Sequence, residues 1–261
     1  MALNPSRPCG ACRFCREGSQ IHCLDMRFYG SAMRFPHVQG AFREAIVADA
    51  AQCHVVPDTV TAGEAAMAEP FAVCLHAVNR AGPMLGKRVL VTGSGPIGAL
   101  CVLAARRAGA TEIVATDLTD APGSVVLKMG ADRFINVARD GDMMKDYTAE
   151  KGQFDVLFEA SGSDKALAAA FDVVRPRGII VQVGIGGMGT LPLNMIVAKE
   201  FDLRGTFRFH EEFGLAVTLI GKRLADVRPL ITATLPFTEA RAAFDLASDR
   251  QRAMKVQLAF G

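Results

Sequence analysis

The sequence holds no apolar run long enough to cross a membrane. Its start, MALNPSRPCG, lacks a charged stretch followed by an apolar one, so it predicts no secretory signal. Excess charge is missing too: 29 Lys and Arg stand against 27 Asp and Glu, a formal net charge of +2. The basic residues are spread along the chain, which argues against a nucleic-acid partner and against a membrane surface. No internal repeat and no low-complexity stretch occurs. His22, His37, His54, His76 and His210 are scattered and form neither a His-x3-His nor a His-Glu-x-x-His pair. Structural roles are expected for them, with His76 a satisfied core histidine on an alanine-rich helix. The cysteine count is odd, seven, and no signal precedes it. That combination predicts reduced thiols, a metal rather than disulfides, and a cytoplasmic protein.

What is present is a chain of 261 residues, half of them hydrophobic. It is long enough for one large domain or two smaller ones. Residues 1–60 show turn residues and short β-like runs, such as AFREAIVAD at 41–49. From Thr61 the pattern turns helical through residue 82, with Pro70 as a break or a helix start. VLVT, within 87–92, reads as a strand apolar on both faces. PIGALCVLAARRAG reads as a helix with Pro96 near its first turn and Gly109 at its end. EIVAT, DRFINV, FDVLFEASG, PRGIIVQVG and FDLRGTFRF follow as strands, with helices between most of them. Strands alternating with helices predict an α/β fold, a doubly wound parallel sheet of the Rossmann kind. After Glu211 a helix to about Leu224 is expected, then one more helix and a closing strand.

Gly93-Ser94-Gly95-Pro96-Ile97-Gly98 matches G-x-G-x-x-G between an expected strand and an expected helix. The glycines permit a tight turn and close approach of the backbone to a pyrophosphate, and the helix N-terminus supplies N–H donors. Asp117 ends the next strand. A carboxylate there accepts both ribose hydroxyls of NAD and repels the 2′-phosphate of NADP, and no arginine follows within five residues. NAD is therefore the expected cofactor.

Cys9, Cys12, Cys15 and Cys23 follow C-x2-C-x2-C-x7-C. Four thiolates suit tetrahedral zinc, and a filled tetrahedral shell leaves no position for substrate. A ferredoxin cluster usually has a three-residue last gap and a following proline, whereas here the gap is seven and Leu24 follows. A nucleic-acid-binding zinc ribbon would have two well-separated pairs and a basic surround. The four sulfurs are expected to hold a loop and to do no chemistry.

The cysteine loop, the A-E-P at 68–70 and the dinucleotide fingerprint together resemble the zinc-dependent medium-chain dehydrogenases. The resemblance spans essentially the whole chain. AEPFAVCLHAVNRAG (68–82) and LRGTFRF (203–209) look like the polyol, sorbitol-type branch. DMRFYGSAMRFPHVQGAFRE (25–44), FDVLFEASG and KVQLAF resemble its members that oxidise L-idonate at C5 to 5-keto-gluconate. The resemblance implies a GroES-like, β-rich catalytic domain over 1–79 and 228–261, beside a Rossmann NAD domain over 80–227. It places Glu69 at a catalytic zinc and turns Arg208 and Phe209 toward substrate, with Phe28 in the pocket. Ile97, Asp117, Val183-Gly184-Ile185 and Thr206-Phe207-Arg208 correspond to cofactor contacts. A homo-oligomer, dimer or tetramer, and a small polyol or sugar-acid substrate are implied as well. Read without the resemblance, Glu69 also suits a helix-start acid, Arg208 a strand-end surface charge, and Phe28 and Phe209 the core.

Three features depart from the family. Its catalytic zinc is held by a cysteine and a His-Glu pair ahead of the cysteine loop; here Cys9 is the first cysteine and no His-Glu dipeptide precedes it, the one in the chain being His210-Glu211. The GroES-like domain is accordingly expected to be incomplete at its N-terminal side. Pro122 stands five residues after Asp117, where the branch often has an arginine. Two functions follow: an NAD- and zinc-dependent polyol or sugar-acid dehydrogenase, or a catalytically incompetent NAD- and zinc-binding module descended from one.

Overall fold

Two-residue strands open the chain. In the computed structural model, which describes residues 1–260, β1 (Ala2–Leu3) pairs with β4 (Cys53–His54), and β2 (Ser6–Arg7) with β3 (Arg27–Phe28). Both pairs are antiparallel. A helical turn, α1 (Arg13–Arg16), lies between β2 and β3 and carries Cys15. The expected β-like run at 41–49 forms no strand. Phe42 is 71% and Val47 96% exposed, so no facing sheet rewards their spacing, and β preference depends on such packing.

α2 (Ala62–Ala66) starts at a capping box: the Glu64 N–H donates to Thr61 Oγ1 at 3.2 Å, and the Thr61 N–H donates to Glu64 Oε2 at 2.9 Å. α3 (Ala68–Ala81) follows. Pro70 sits in its first turn, where a missing N–H leaves no helical bond unmade, so it begins the helix rather than breaking it.

The βαβ region then runs as the apolar pattern predicts. Its elements are β5 (Arg88–Thr92), α4 (Pro96–Arg107), β6 (Glu112–Asp117), α5 (Gly123–Lys128), β7 (Arg133–Asn136), the short α6 (Val137–Asp140) and β8 (Phe154–Glu159). They continue with α7 (Asp164–Ala170), β9 (Val174–Gln182), α8 (Leu193–Lys199) and β10 (Asp202–Gly205). The strands form one parallel sheet in the order β10-β9-β8-β5-β6-β7. Its central strands, β5, β6 and β8, are buried on both faces, while the edge strand β10 is largely exposed. Val89 and Val91 pack on the α4 side, with Ala99, Val102 and Val126. Leu90, between them, packs on the α7 side with Leu167, Phe171 and Phe201. The order reverses at β5 and β8, and in open α/β sheets ligands bind beyond the carboxyl ends of the strands at such a point.

α9 (Glu212–Gly221) packs on α3 and ends short of Leu224, at a turn where Arg223 takes φ +55°. The tail holds more than the expected helix and strand. β11 (Ile231–Pro236) pairs in parallel with β12 (Lys255–Ala259) around the amphipathic α10 (Ala240–Ser248). Among the described residues, no helix is long and apolar enough to cross a membrane.

Candidate active site and metal centre

The turn after β5 tolerates no larger residue at Gly93 or Gly98. Gly93 takes φ +82°, and a Cβ there would lie 2.7 Å from the Ser161 backbone. A Cβ on Gly98 would lie 1.8 Å from the Gly93 carbonyl oxygen. Gly95 caps α4 and Pro96 takes its first turn, which leaves the helix N–H groups at the mouth of the turn. Ile97 is half-buried just inside. Asp117 faces this turn from the end of β6. Its Oδ2 accepts the Ser94 N–H at 2.8 Å, and its Oδ1 accepts those of Leu118 and Thr119 at 2.8 and 3.2 Å. Three backbone donors thus fix the orientation of the carboxylate.

Two strands along, Glu159 is buried at the end of β8. Its carboxylate accepts from Ser161 N at 2.8 Å, Gly162 N at 3.0 Å and Gln182 Nε2 at 2.6 Å, and also from the Ser161 hydroxyl. Its carbonyl accepts the N–H groups of Val183 and Gly184, both at 2.8 Å. One residue therefore ties the turn after β8 to the turn after β9. These turns border a cavity of about 380 Å³, lined by Gly162, Ser163, Gln182, Gly184, Ile185 and Leu191. Sequence reasoning passed over Glu159. Its signal was an acid closing the apolar run FDVLF, since a buried carboxylate must be fully bonded.

Glu69 sits in the first turn of α3. Burial pushes its carboxyl pKa up, against the opposing fields of Lys255 and Arg208. Lys255 comes from β12, at a sequence distance that no motif flags. Arg208 follows β10 with φ +53°, a strained conformation for a side-chain-bearing residue. Its guanidinium lies 4.4 Å from the Phe28 ring centroid and 5.0 Å from that of Phe207. Phe207 is partly exposed and stacks on His22, while Phe209 is buried against Phe28 and Phe213. The Thr206 N–H donates to the Gln182 carbonyl at 3.3 Å, tying this turn to the sheet edge. Glu69, Arg208, Lys255 and Phe28 thus come together from four separated stretches. Phe209 stands behind them as support rather than on the surface.

The cysteine cluster fits a zinc ion. The four sulfurs lie within 4.8 Å of one another, with Cys12 3.6 Å from Cys15 and 4.0 Å from Cys23. Tetrahedral zinc with bonds of about 2.3 Å sets its ligand sulfurs roughly 3.8 Å apart. Backbone N–H groups of Cys9 and Asp25 donate to Cys23 Sγ at 3.2 and 3.3 Å, and that of Cys12 to Cys9 Sγ at 3.4 Å. Such donors stabilise thiolates; those around Cys12 bring its pKa down to about 6, while burial holds Cys15 up at about 12. No disulfide forms among the described residues.

A catalytic zinc does not find a ligand set here. Among the described residues, the four cysteines are the one group of three or more His, Cys, Asp or Glu side chains placed to share an ion. Cys53 and His54 lie elsewhere: His54 packs on Phe213, and Cys53 Sγ approaches the Asp49 carbonyl at 3.7 Å.

His76 is a satisfied histidine, as expected. Its Nδ1 lies 2.9 Å from Glu212 Oε1, which also accepts from Asn79 Nδ2 at 3.0 Å. Burial raises the Glu212 pKa, but these bonds and the His210 N–H outweigh it and hold the value at about 2.

Residues 96–222 match the zinc-binding dehydrogenase family, and residues 1–58 match the alcohol dehydrogenase GroES-like domain. An L-idonate 5-dehydrogenase (NAD(P)(+)) of Escherichia coli is 44% identical over 261 residues, which is all of this chain and 76% of that protein. An L-idonate 5-dehydrogenase of Vitis vinifera is 33% identical, over 98% of this chain and 71% of that one. The crystal structure of L-idonate 5-dehydrogenase from Escherichia coli superposes with a TM-score of 0.95 at 44% identity, over 99% of this chain and 74% of that one. A Rossmann sheet, a GroES-like segment and full-length identity at this level agree, and the chain belongs to the zinc-binding dehydrogenases, among their alcohol and polyol dehydrogenases.

Proposed function

We propose that this protein oxidises the C5 hydroxyl of L-idonate to the ketone of 5-keto-gluconate. The hydride leaves C5 with its electron pair for NAD, giving NADH, and the hydroxyl proton goes to solvent. One observation carries this reading: the fields of two cations, Arg208 and Lys255, act on the half-buried Glu69. A sugar acid brings a carboxylate that an uncharged polyol lacks, and Arg208 is suited to grip it through two parallel hydrogen bonds. Phe28 then packs the carbon chain, with Phe209 backing it.

On the cofactor side, Gly93, Gly95, Pro96, Ile97 and Gly98 would cradle the pyrophosphate. Asp117 would accept the ribose hydroxyls. Val183, Gly184 and Ile185, with Thr206, Phe207 and Arg208, would border the nicotinamide end. Cys9, Cys12, Cys15 and Cys23 would hold one zinc in a closed shell, which fixes the loop and takes no part in the reaction. Residues 1–79 and 228–261 are read as the GroES-like unit and 80–227 as the NAD unit of a cytoplasmic homo-oligomer, dimer or tetramer.

The test is NADH formation at 340 nm with L-idonate, D-gluconate, sorbitol and xylitol. L-Idonate is expected to give the highest kcat/KM, with Arg208→Ala lowering it about 100-fold for L-idonate and far less for sorbitol. Equal rates on sorbitol and L-idonate would refute the sugar-acid reading. A second reading is favoured by the lack of further metal ligands near Glu69 among the described residues: an NAD- and zinc-binding module without turnover. NAD binding with one zinc per chain and no NADH from any of these substrates would establish that reading instead.

A further inference from the structure

We propose that Arg139 is the platform on which the adenine ring of the dinucleotide stacks, an inference that rests on the nucleotide site proposed above. Asp117 and Asn136 are register partners at the ends of the parallel pair β6 and β7. Both chains leave the sheet at this level. Three residues beyond each, Asp120 and Arg139 meet: Arg139 NH1 donates to Asp120 Oδ2 at 2.6 Å. From the other side, Arg139 Nε and NH2 donate to Asp140 Oδ2 at 2.9 and 2.7 Å. A ribose held on Asp117 puts its base beside the turns that follow these two strands.

The two carboxylates fix the guanidinium within its own plane and leave its faces open. Its side chain is 63% exposed. Among the described residues, the cations that lie over aromatic rings are Arg13, Arg88, Arg133, Lys199 and Arg208, and Arg139 is not one of them. A flat, delocalised cation held in this way is suited to lie against a purine.

The same arginine could be thought to clamp the 2′-phosphate of NADP. Two features argue against that. Its in-plane donors already serve Asp120 and Asp140, so a phosphate would have to displace a carboxylate. Asp117, Asp120 and Asp140 also outnumber the single cation Arg139, leaving the surroundings net negative and unfavourable to a further anion.

Calorimetric titration of the full chain separates these readings, with 5′-AMP, nicotinamide mononucleotide and adenosine 2′,5′-bisphosphate as probes. Arg139→Ala is expected to weaken 5′-AMP about tenfold, to weaken the bisphosphate by the same factor, and to leave nicotinamide mononucleotide unchanged. That last probe also reports that the variant is folded. Arg139→Lys keeps the charge but has no flat face, so it is expected to behave like the alanine variant. Unchanged 5′-AMP affinity in Arg139→Ala overturns the stacking role. So does a loss confined to the bisphosphate, which marks a phosphate clamp, and so does an equal loss for both mononucleotides, which marks simple charge attraction. Failure of the unaltered protein to bind 5′-AMP would instead overturn the nucleotide site itself, and the stacking role with it.

Discussion

The sheet region, residues 88–205, and the flanking parts, 1–60 and 231–260, obey different rules. In the sheet, six parallel strands hold one another, and the central strands β5, β6 and β8 are covered on both faces and almost wholly buried. In the flanks, three sheets of two strands each leave their outer edges unpaired, and Phe35, Phe42, Val47 and Phe244 lie exposed. An isolated two-stranded pairing is marginal in water. What the sheet region achieves by burial, the flanks achieve by a few long-range ties: the four cysteines, Gln52 to the Asn4 carbonyl, and Gln257 to the Gly63 carbonyl. The lesson is that one chain can be robust in its central sheet and conditional in its flanks.

The largest expected effect follows from removing the metal. Structural zinc sites contribute on the order of 10 kcal/mol. Strong chelation, or Cys23→Ser, should abolish protection from hydrogen exchange over residues 5–28 while β5, β6 and β8 stay protected. If both regions opened together, the contrast would be wrong. Next in size is Gly98→Ala, whose methyl would meet the Gly93 carbonyl. It should destabilise the sheet region by about 3–4 kcal/mol and remove NAD binding, with chemical denaturation and calorimetry as the measurements.

Acid should act on the seam between α3 and α9. Glu212 has its pKa lowered from 4.5 to about 2, so the folded state holds fewer protons than the unfolded state between those values. Its stabilisation, up to about 3 kcal/mol, is fully present above about pH 5 and is lost as pH falls toward 2. Glu212→Gln should flatten that dependence, and an unchanged acid limb in denaturation curves would count against it. The smallest effect is expected from Phe42→Ser. The ring is mostly exposed and its aromatic partner, Phe244, is exposed too, so stability should change by less than about 1 kcal/mol. A larger loss would mean that the flank around residue 42 is buried in solution.

Legibility in the sequence divides along the same line. Parallel strands covered on both faces read as unbroken apolar runs, so VLVT and FDVLF announced themselves, and the glycine turn fixed where the nucleotide edge begins. The cysteine spacing was equally plain, because a tetrahedral shell constrains close sulfurs wherever the chain goes. Two-residue strands carry no period, however, so β1 to β4 showed only as short β-like runs without a register, and β11 passed as part of the tail. AFREAIVAD had the composition of a strand but no partner to pair with. Lys255 and Arg139 were missed for a shared reason: each reaches its site through the sheet register or a distant strand, and spacing along the chain does not record that.

The bond from Gln257 Nε2 to the Gly63 carbonyl joins residues 194 apart. Read in time rather than in space, this means that α2, the helix just ahead of the one that carries Glu69, cannot acquire that support until residue 257 has been made. At typical elongation rates the delay is roughly 10–40 s. The dinucleotide sheet, whose pairings close over much shorter loops, can form within it. The sheet region is therefore born before the C-terminal flank, and a newly made chain has a period in which its sheet stands complete while α2 still waits for β12.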